Sequence, residues 1–375
     1  MVAFITVVVL VGLMLVGVPV CIAMGITSAG VFAALGNAKI LAVMAQRIYN
    51  GTTGFTMLAI PFFILAGNLM NTGGITDRIF AFANACVGHW TGGLGQVNIV
   101  SSVIFSGMSG AAVADAAGLG VIEMKAMDDA GYDHTFSAGI TAASSTIGPV
   151  IPPSIPFVVY SSCSGASVAK LFAAGFMPGF MMALAMGIAV YVQSKRKHFP
   201  VMPRMPWGER LKAFVRAIPS LLTVVIIVGG IWGGIFTATE AAIVATFYAL
   251  FLSGVVYKSL TLKSLMSIIY DSIMTSCKTL FIIAIANFLA YFLIHARVPN
   301  QIIEGMLSIT NNPYILILLI IFILFILGMF LDSNVNFLLL TPIFLPMVQK
   351  VGFDPVHFGV LMATIVTMGV FTPPV

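Results

Sequence analysis

FSAGITAASSTIGPVIPPSIPFVVYSSC, residues 136–163, is apolar at both ends and interrupted at its centre. Gly148, Pro149, Pro152 and Pro153 fall inside the interruption at 144–154. Proline removes a backbone donor and clashes with the preceding turn, so this run is not one continuous helix. Two apolar arms around such a break make a broken helix at mid-depth of a bilayer. Irregular backbone is tolerated there only where it is buried in protein or lines a cavity.

The composition agrees with a membrane setting. Of the 375 residues 60% are hydrophobic and 8% charged, against about 25% charged in a typical soluble domain. A soluble protein so poor in charge has too little polar surface to cover itself; a chain solvated partly by lipid does not need it. The net charge of +5 is no nucleic-acid signal, because the basic residues cluster in one segment: Lys195, Arg196, Lys197, Arg204, Arg210, Lys212 and Arg216. Such a cluster marks a cytoplasmic loop by the positive-inside rule. Cys21, Cys86, Cys163 and Cys277 lack metal-ligand spacing and are expected to be small buried apolar residues.

Working outward, the N-terminus carries no basic region of a cleaved signal peptide, so 2–16 is a first span. The apolar stretch 2–35 divides at Gly17 and Pro19 into two short spans. Residues 39–50, with Lys39 and Arg47, read as an interfacial helix. A span at 54–72 and an amphipathic piece at 75–90 follow. From 94 to 127 the chain is apolar but punctuated by Ser106-Gly107-Met108-Ser109-Gly110. Each arm is about 12–16 residues, short of a bilayer core of ~30 Å at about 1.5 Å per residue; this is a re-entrant hairpin. After a polar turn at 128–134 come the broken helix and a span at 172–193.

The second half repeats the plan: spans at 217–235 and 236–257, an amphipathic piece at 259–270, a span at 271–294 and another amphipathic piece at 298–310. A second hairpin at 313–346, with Gly328-Met329-Phe330-Leu331-Asp332-Ser333-Asn334 at its tip, leads to a second broken helix from about 356. One offset of 221 residues carries Gly131-Tyr132-Asp133 onto Gly352-Phe353-Asp354, Gly107-Met108 onto Gly328-Met329, Gly148 onto Gly369, and Pro152-Pro153 onto Pro373-Pro374. The expected fold is therefore an all-α polytopic membrane protein built as an inverted repeat. Residues 1–193 form one half, 194–216 the basic cytoplasmic loop and 217–375 the other half, each with about five spans plus a hairpin and a broken helix. Inverted repeats of this design belong to secondary transporters.

With the loop inside, eleven basic residues lie inside (its seven with Arg78, Lys125, Lys258 and Lys263). Five lie outside: Lys39, Arg47, Lys170, Arg297 and Lys350. If the repeat is complete in the native protein, the chain stops roughly 40–50 residues short at membrane-span lengths.

Hairpin tips and helix breaks offer carbonyl and hydroxyl oxygens, hard ligands that suit Na⁺, and helix N-termini that favour a carboxylate. One candidate Na⁺ site pairs Ser106, Gly107 and Ser109 with Ser145, Thr146 and Gly148. Its mate pairs Gly328, Phe330 and Asp332 with Thr367, Gly369 and Thr372. The competing reading makes these small residues aids to close helix packing. Asp332 sits deep in an apolar hairpin, where a carboxylate must be paired with a cation, hydrogen-bonded or solvated. Glu123 is expected near the interface and solvated, Asp115 is open, and Glu240 starts a helix and caps it. Lys278 is an isolated charge that snorkels. No P-loop and no H-E-x-x-H occurs, and Gly165-Ala166-Ser167 reads as loop rather than protease fragment. No catalytic residue and no organic cofactor is expected.

SGMSGAAVADAAGLG (106–120), GYDHTFSAGITAASSTIGPVIPPSIPF (131–157), GIFTATEAA (234–242) and GMFLDS (328–333) together resemble the large membrane subunit of tripartite ATP-independent periplasmic (TRAP) transporters. The resemblance covers essentially the whole chain. It implies a bacterial inner-membrane, Na⁺-driven importer of organic anions, among them sialic acids and C4-dicarboxylates, working by an elevator mechanism. It further implies a small four-helix membrane subunit, expected here as a separate chain, and a periplasmic substrate-binding protein. By motif, Na⁺ sits at the two pairings and substrate between the tips, at Ser109, Thr146, Asp332 and Asn334. The family pattern continues beyond Thr372-Pro373-Pro374-Val375. A stand-alone Na⁺/dicarboxylate carrier, an intramembrane enzyme and a passive channel are the alternatives.

Overall fold

The computed structural model describes residues 2–34, 41–197, 199–310 and 312–372, and among these no strand occurs. Lys39 and the Pro373-Pro374 landmark lie outside the described residues. Eighteen α-helices follow one another among the described residues. The chain divides into two compact units, one of residues 58–158 and 168–274, the other of 1–57, 159–167 and 275–375.

The first of these units holds α4 (Ala59–Thr72), α5 (Ile75–Val87), α6 (Gly93–Ser109), α7 (Ala112–Ala117), α8 (Leu119–Asp129), α9 (His134–Ser145), α11 (Val168–Lys197), α12 (Trp207–Trp232) and α13 (Ala238–Phe251). Its core gathers Val97, Ile99, Met127, Tyr132, Ile140 and Val190. The Tyr132 hydroxyl accepts from Leu94 N (3.3 Å) and donates to Pro200 O (3.1 Å), so the ring is satisfied at its polar end. Thr237 and Glu240 form a reciprocal capping box at the start of α13, which meets the expected role of Glu240. Thr246 of α13 donates to Phe62 O of α4 at 2.9 Å.

The other unit contains α1 (Val2–Leu15), α2 (Val20–Ala34), α3 (Leu41–Asn50), α15 (Val298–Ile309), α16 (Pro313–Gly328), α17 (Ser333–Lys350) and α18 (Pro355–Val370). The unit boundaries fall within α10 (Ile155–Ser164) and α14 (Leu262–His295). Phe32 packs edge-on against Phe292 with ring centroids 4.7 Å apart, and α16 packs on α18.

Among the described residues five helices are long and apolar enough to cross a membrane, those containing α4, α11, α12, α13 and α14. On α11, Met177, Phe180, Met181, Leu184 and Ile188 are all exposed. Their helical spacing makes an outward apolar stripe, the reverse of a water-soluble helix and the pattern of one facing lipid.

The element starts repeat at the offset read from the motifs. α9 and α18 begin at 134 and 355, α7 and α17 at 112 and 333, α3 and α14 at 41 and 262. Three expectations are corrected. Most of 194–216 is helical, since α11 runs to Lys197 and α12 starts at Trp207, leaving Arg204 as the basic residue of a short connection. The pieces expected at 259–270 and 271–294 form one helix of 34 residues, because nothing there corresponds to the Gly51–Gly54 interruption that separates α3 from α4. Finally, Cys86 and Cys277 are exposed and Cys21 and Cys163 half-buried, so none is a core residue.

Candidate functional site

Each unit holds one hairpin tip against a helix end, the break after α9 in the first and the end of α18 in the other. In the first, α6 ends at Ser109 and Gly110 turns the chain with φ +64°. Ile155 N, past the break, donates to Gly110 O at 3.2 Å. A methyl group on Gly110 would fall inside contact distance of Pro153 O and 3.2 Å from Pro153 C. One on Gly148 would lie 3.4 Å from the backbone of Ala111. Glycine at 110 thus serves both a left-handed turn and a backbone-to-backbone junction. The break itself contains a cis Pro152-Pro153 bond and is tied by Ser154, whose hydroxyl donates to Pro149 O.

The expected ligands of this junction are placed as follows. Ser106 donates to Ser102 O (2.5 Å), Ser145 to Ala142 O (2.9 Å) and Thr146 to Ala143 O (2.6 Å). A hydroxyl that donates its proton to its own helix keeps its oxygen lone pairs for a cation. Ser109 is 1% exposed and its hydroxyl has no partner among the described residues. Gly107 packs on Val224 instead, in keeping with a packing role for that residue.

In the other unit, Gly328 and Gly369 meet backbone to backbone: a methyl on Gly369 would lie 2.6 Å from Gly328 C, and one on Gly328 2.9 Å from Val366 O. The buried Thr367 donates to Ala363 O (2.8 Å), as Thr146 does to Ala143 O at the matching position, and Thr372 donates to Met368 O (2.9 Å). Phe330 is exposed, so only its backbone is available as a ligand. Asp332 is not deeply buried: it is exposed and N-caps α17 by accepting from Asn334 N at 2.9 Å. The cap is the hydrogen-bonded role that a carboxylate in apolar surroundings requires.

Sequence reasoning missed several buried polar groups. Asn98 of α6 donates to Thr141 (2.8 Å) and accepts from Ser144 (2.5 Å), joining the hairpin to the broken helix. Its counterpart by the 221 offset is Leu319, so the repeat gave no hint of it. Asn71 of α4 donates to Ala114 O at 3.2 Å and steadies the turn at Gly118. Asn336 reaches back from α17 to Leu331 O at 3.0 Å. Glu123, expected at a solvated interface, is 1% exposed. Among the described residues no group of three His, Cys, Asp or Glu side chains gathers to hold a metal.

The arrangement defines a class: a polytopic helical membrane protein in which hairpin tips meet helix ends, a design found in secondary transporters. The family of the tripartite ATP-independent periplasmic transporter, DctM component, matches residues 7–375, and the chain belongs to it. It is 43% identical to the sialic acid TRAP transporter large permease protein SiaM of Vibrio cholerae over 97% of this chain and 85% of that protein. It is 36% identical to the C4-dicarboxylate TRAP transporter large permease protein DctM of the same species, over 97% of this chain and 85% of that one. The crystal structure of the Alcanivorax borkumensis YdaH transporter shares the fold, with a TM-score of 0.60 at 10% identity, covering 90% of this chain and 79% of that one. The chain is a multi-pass permease of the bacterial inner membrane. Large permeases of this family work with a periplasmic binding protein and a small membrane subunit.

Proposed function

We propose that this permease imports an organic anion, a carboxylate of the sialic acid or C4-dicarboxylate kind, by coupling its movement to Na⁺. The two hairpin–break junctions are the Na⁺ sites, one at Ser106, Gly107, Ser109, Ser145, Thr146 and Gly148, the other at Gly328, Phe330, Asp332, Thr367, Gly369 and Thr372. Substrate is assigned to Ser109, Thr146, Asp332 and Asn334. The observation that carries this reading is the Ser109 hydroxyl, fully buried at a hairpin tip with no protein partner. A buried polar group left unpaired costs about 1–3 kcal/mol, which a bound cation or a substrate oxygen would recover. The names of the relatives support the substrate class.

The small subunit and the binding protein are assigned as separate partners on the family's organisation. The test reconstitutes the permease with both in proteoliposomes and follows a labelled carboxylate under an inward Na⁺ gradient, with K⁺ as the replacement. Uptake that needs Na⁺ and the binding protein supports the reading. Uptake without the binding protein points to a stand-alone carrier, and flux indifferent to Na⁺ removes the coupling.

A further inference from the structure

The only two fully buried acids among the twelve in the chain are Asp115 of α7 and Glu123 of α8, each 1% exposed. All four of their carboxyl oxygens lack a hydrogen-bond partner among the described residues. The two side chains are within Coulombic reach of each other. Ser102 of α6 is the polar side chain beside Asp115, without ordinary hydrogen-bond geometry to it.

The helices packed on α7 and α8 are α4, α5, α6 and α9, and their charged groups are occupied elsewhere. Neither α4 nor α6 carries a charge. On α5, Asp77 is exposed, while Arg78 donates to Gly74 O and lies 3.6 Å over the Tyr257 ring. His134 of α9 pairs with Asp128 of α8, and Lys125 and Asp129 of α8 face outward. Among the described residues of these helices no cation answers the buried pair. Two ionised carboxylates within Coulombic reach in a low-dielectric interior cannot both persist unpaired.

The repeat supplies a second, independent observation. The residue 221 positions after Asp115 is Asn336, also fully buried. Asn336 acts as a donor, to Leu331 O at 3.0 Å and Leu327 O at 3.4 Å. An amide is the uncharged isostere of a carboxylic acid, and an acid donates at such a position only with its proton on. The second half thus places a neutral donor where the first has Asp115.

We propose that Asp115 and Glu123 form a proton-binding pair inside the first hairpin that holds at least one proton at neutral pH, a cation site distinct in chemistry from the Na⁺ junctions. Binding transfers a proton from hydronium to a carboxylate oxygen: the new O–H bond forms as an O–H bond of hydronium breaks, and water is released. The charge of this carboxyl pair is then set by pH and not by Na⁺.

Infrared spectroscopy of the permease with its small subunit tests this through the C=O stretch of a protonated, buried carboxyl. The expected result is a band at neutral pH, shifted in D₂O, equal in Na⁺ and K⁺ buffers, weakened by Asp115→Asn and absent from Asp115→Asn/Glu123→Gln. Should the double variant fail to fold, the wild-type spectrum and the single variant, which installs the side chain found at Asn336, still decide. No band in the wild type, a band unchanged by Asp115→Asn, or a band seen only after Na⁺ is withdrawn would each overturn the proposal. The last outcome would make the pair a metal site.

Discussion

Gly110→Ala probes the junction between the first hairpin tip and the helix break, and its cost divides into two parts. The backbone at 110 has φ +64°, so any β-carbon is strained there by roughly 1–2 kcal/mol. The added methyl would also press on the Pro153 carbonyl, backbone that is itself fixed by the prolines around it. Overpacking of that kind costs about 1–3 kcal/mol more. Gly131→Ala isolates the first part, because Gly131 has φ +83° and open space where the methyl would go. The assay is thermal unfolding in detergent followed by tryptophan fluorescence; Trp90, Trp207 and Trp232 all belong to the unit that contains both glycines. Gly110→Ala is expected to lower the midpoint about twice as far as Gly131→Ala. Equal shifts would refute the reasoning, since they would mean that no close junction exists at 110.

Other consequences can be checked in the same preparations. Ser109→Ala should leave the unfolding midpoint unchanged or slightly raised, because its hydroxyl bonds to nothing in the protein, yet raise the Na⁺ concentration for half-maximal uptake. Thr237→Ala removes the cap of α13 and should cost about 0.5–2 kcal/mol, read as a lower midpoint. Asp133 caps α9 and pairs with Lys197 at 3.1 Å; that hydrogen bond first, then the Thr135 amide, hold its carboxyl below the usual range. Stability from this pair is therefore present above the ordinary carboxylate range and lost as pH falls through the lowered value. The midpoint difference between wild type and Asp133→Asn should shrink toward zero in acid, and a difference independent of pH would contradict the pairing. Asp332→Asn keeps a good N-cap on α17 and should hold stability while weakening Na⁺ dependence; Asp332→Ala should weaken both.

The fold was legible where the sequence carries hard punctuation. Single prolines are absorbed within helices here, as Pro178, Pro219, Pro342 and Pro346 are, but the cluster of Gly148, Pro149, Pro152 and Pro153 ends α9, and the element starts at 134 and 355 repeat at the motif offset. Charge clusters were a poorer guide to local structure. Lys195, Arg196 and Lys197 prolong α11 because a membrane helix leaves the bilayer without unwinding. Side-chain burial was the least legible level. Glu123 looked interfacial by its distance from the hairpin tip, but the kink at Gly118 and packing on α6 and α9 enclose it. For Asp332 the sequence left a cation partner and a hydrogen-bonded role open, and the structure shows the hydrogen bond, since a helix starts at Ser333 and Asp332 caps it.

The central claim is that Na⁺ binds at both hairpin–break junctions, and the Na⁺ dependence of uptake tests it most directly. Initial rates would be measured across Na⁺ concentrations for the wild type, Ser109→Ala and Thr367→Val, with the small subunit and binding protein present. The account predicts a steeper than hyperbolic dependence in the wild type and a higher half-saturating Na⁺ concentration in each variant, one for each junction. Uptake that is as fast in K⁺ as in Na⁺, or variants that both follow the wild-type curve, would contradict it.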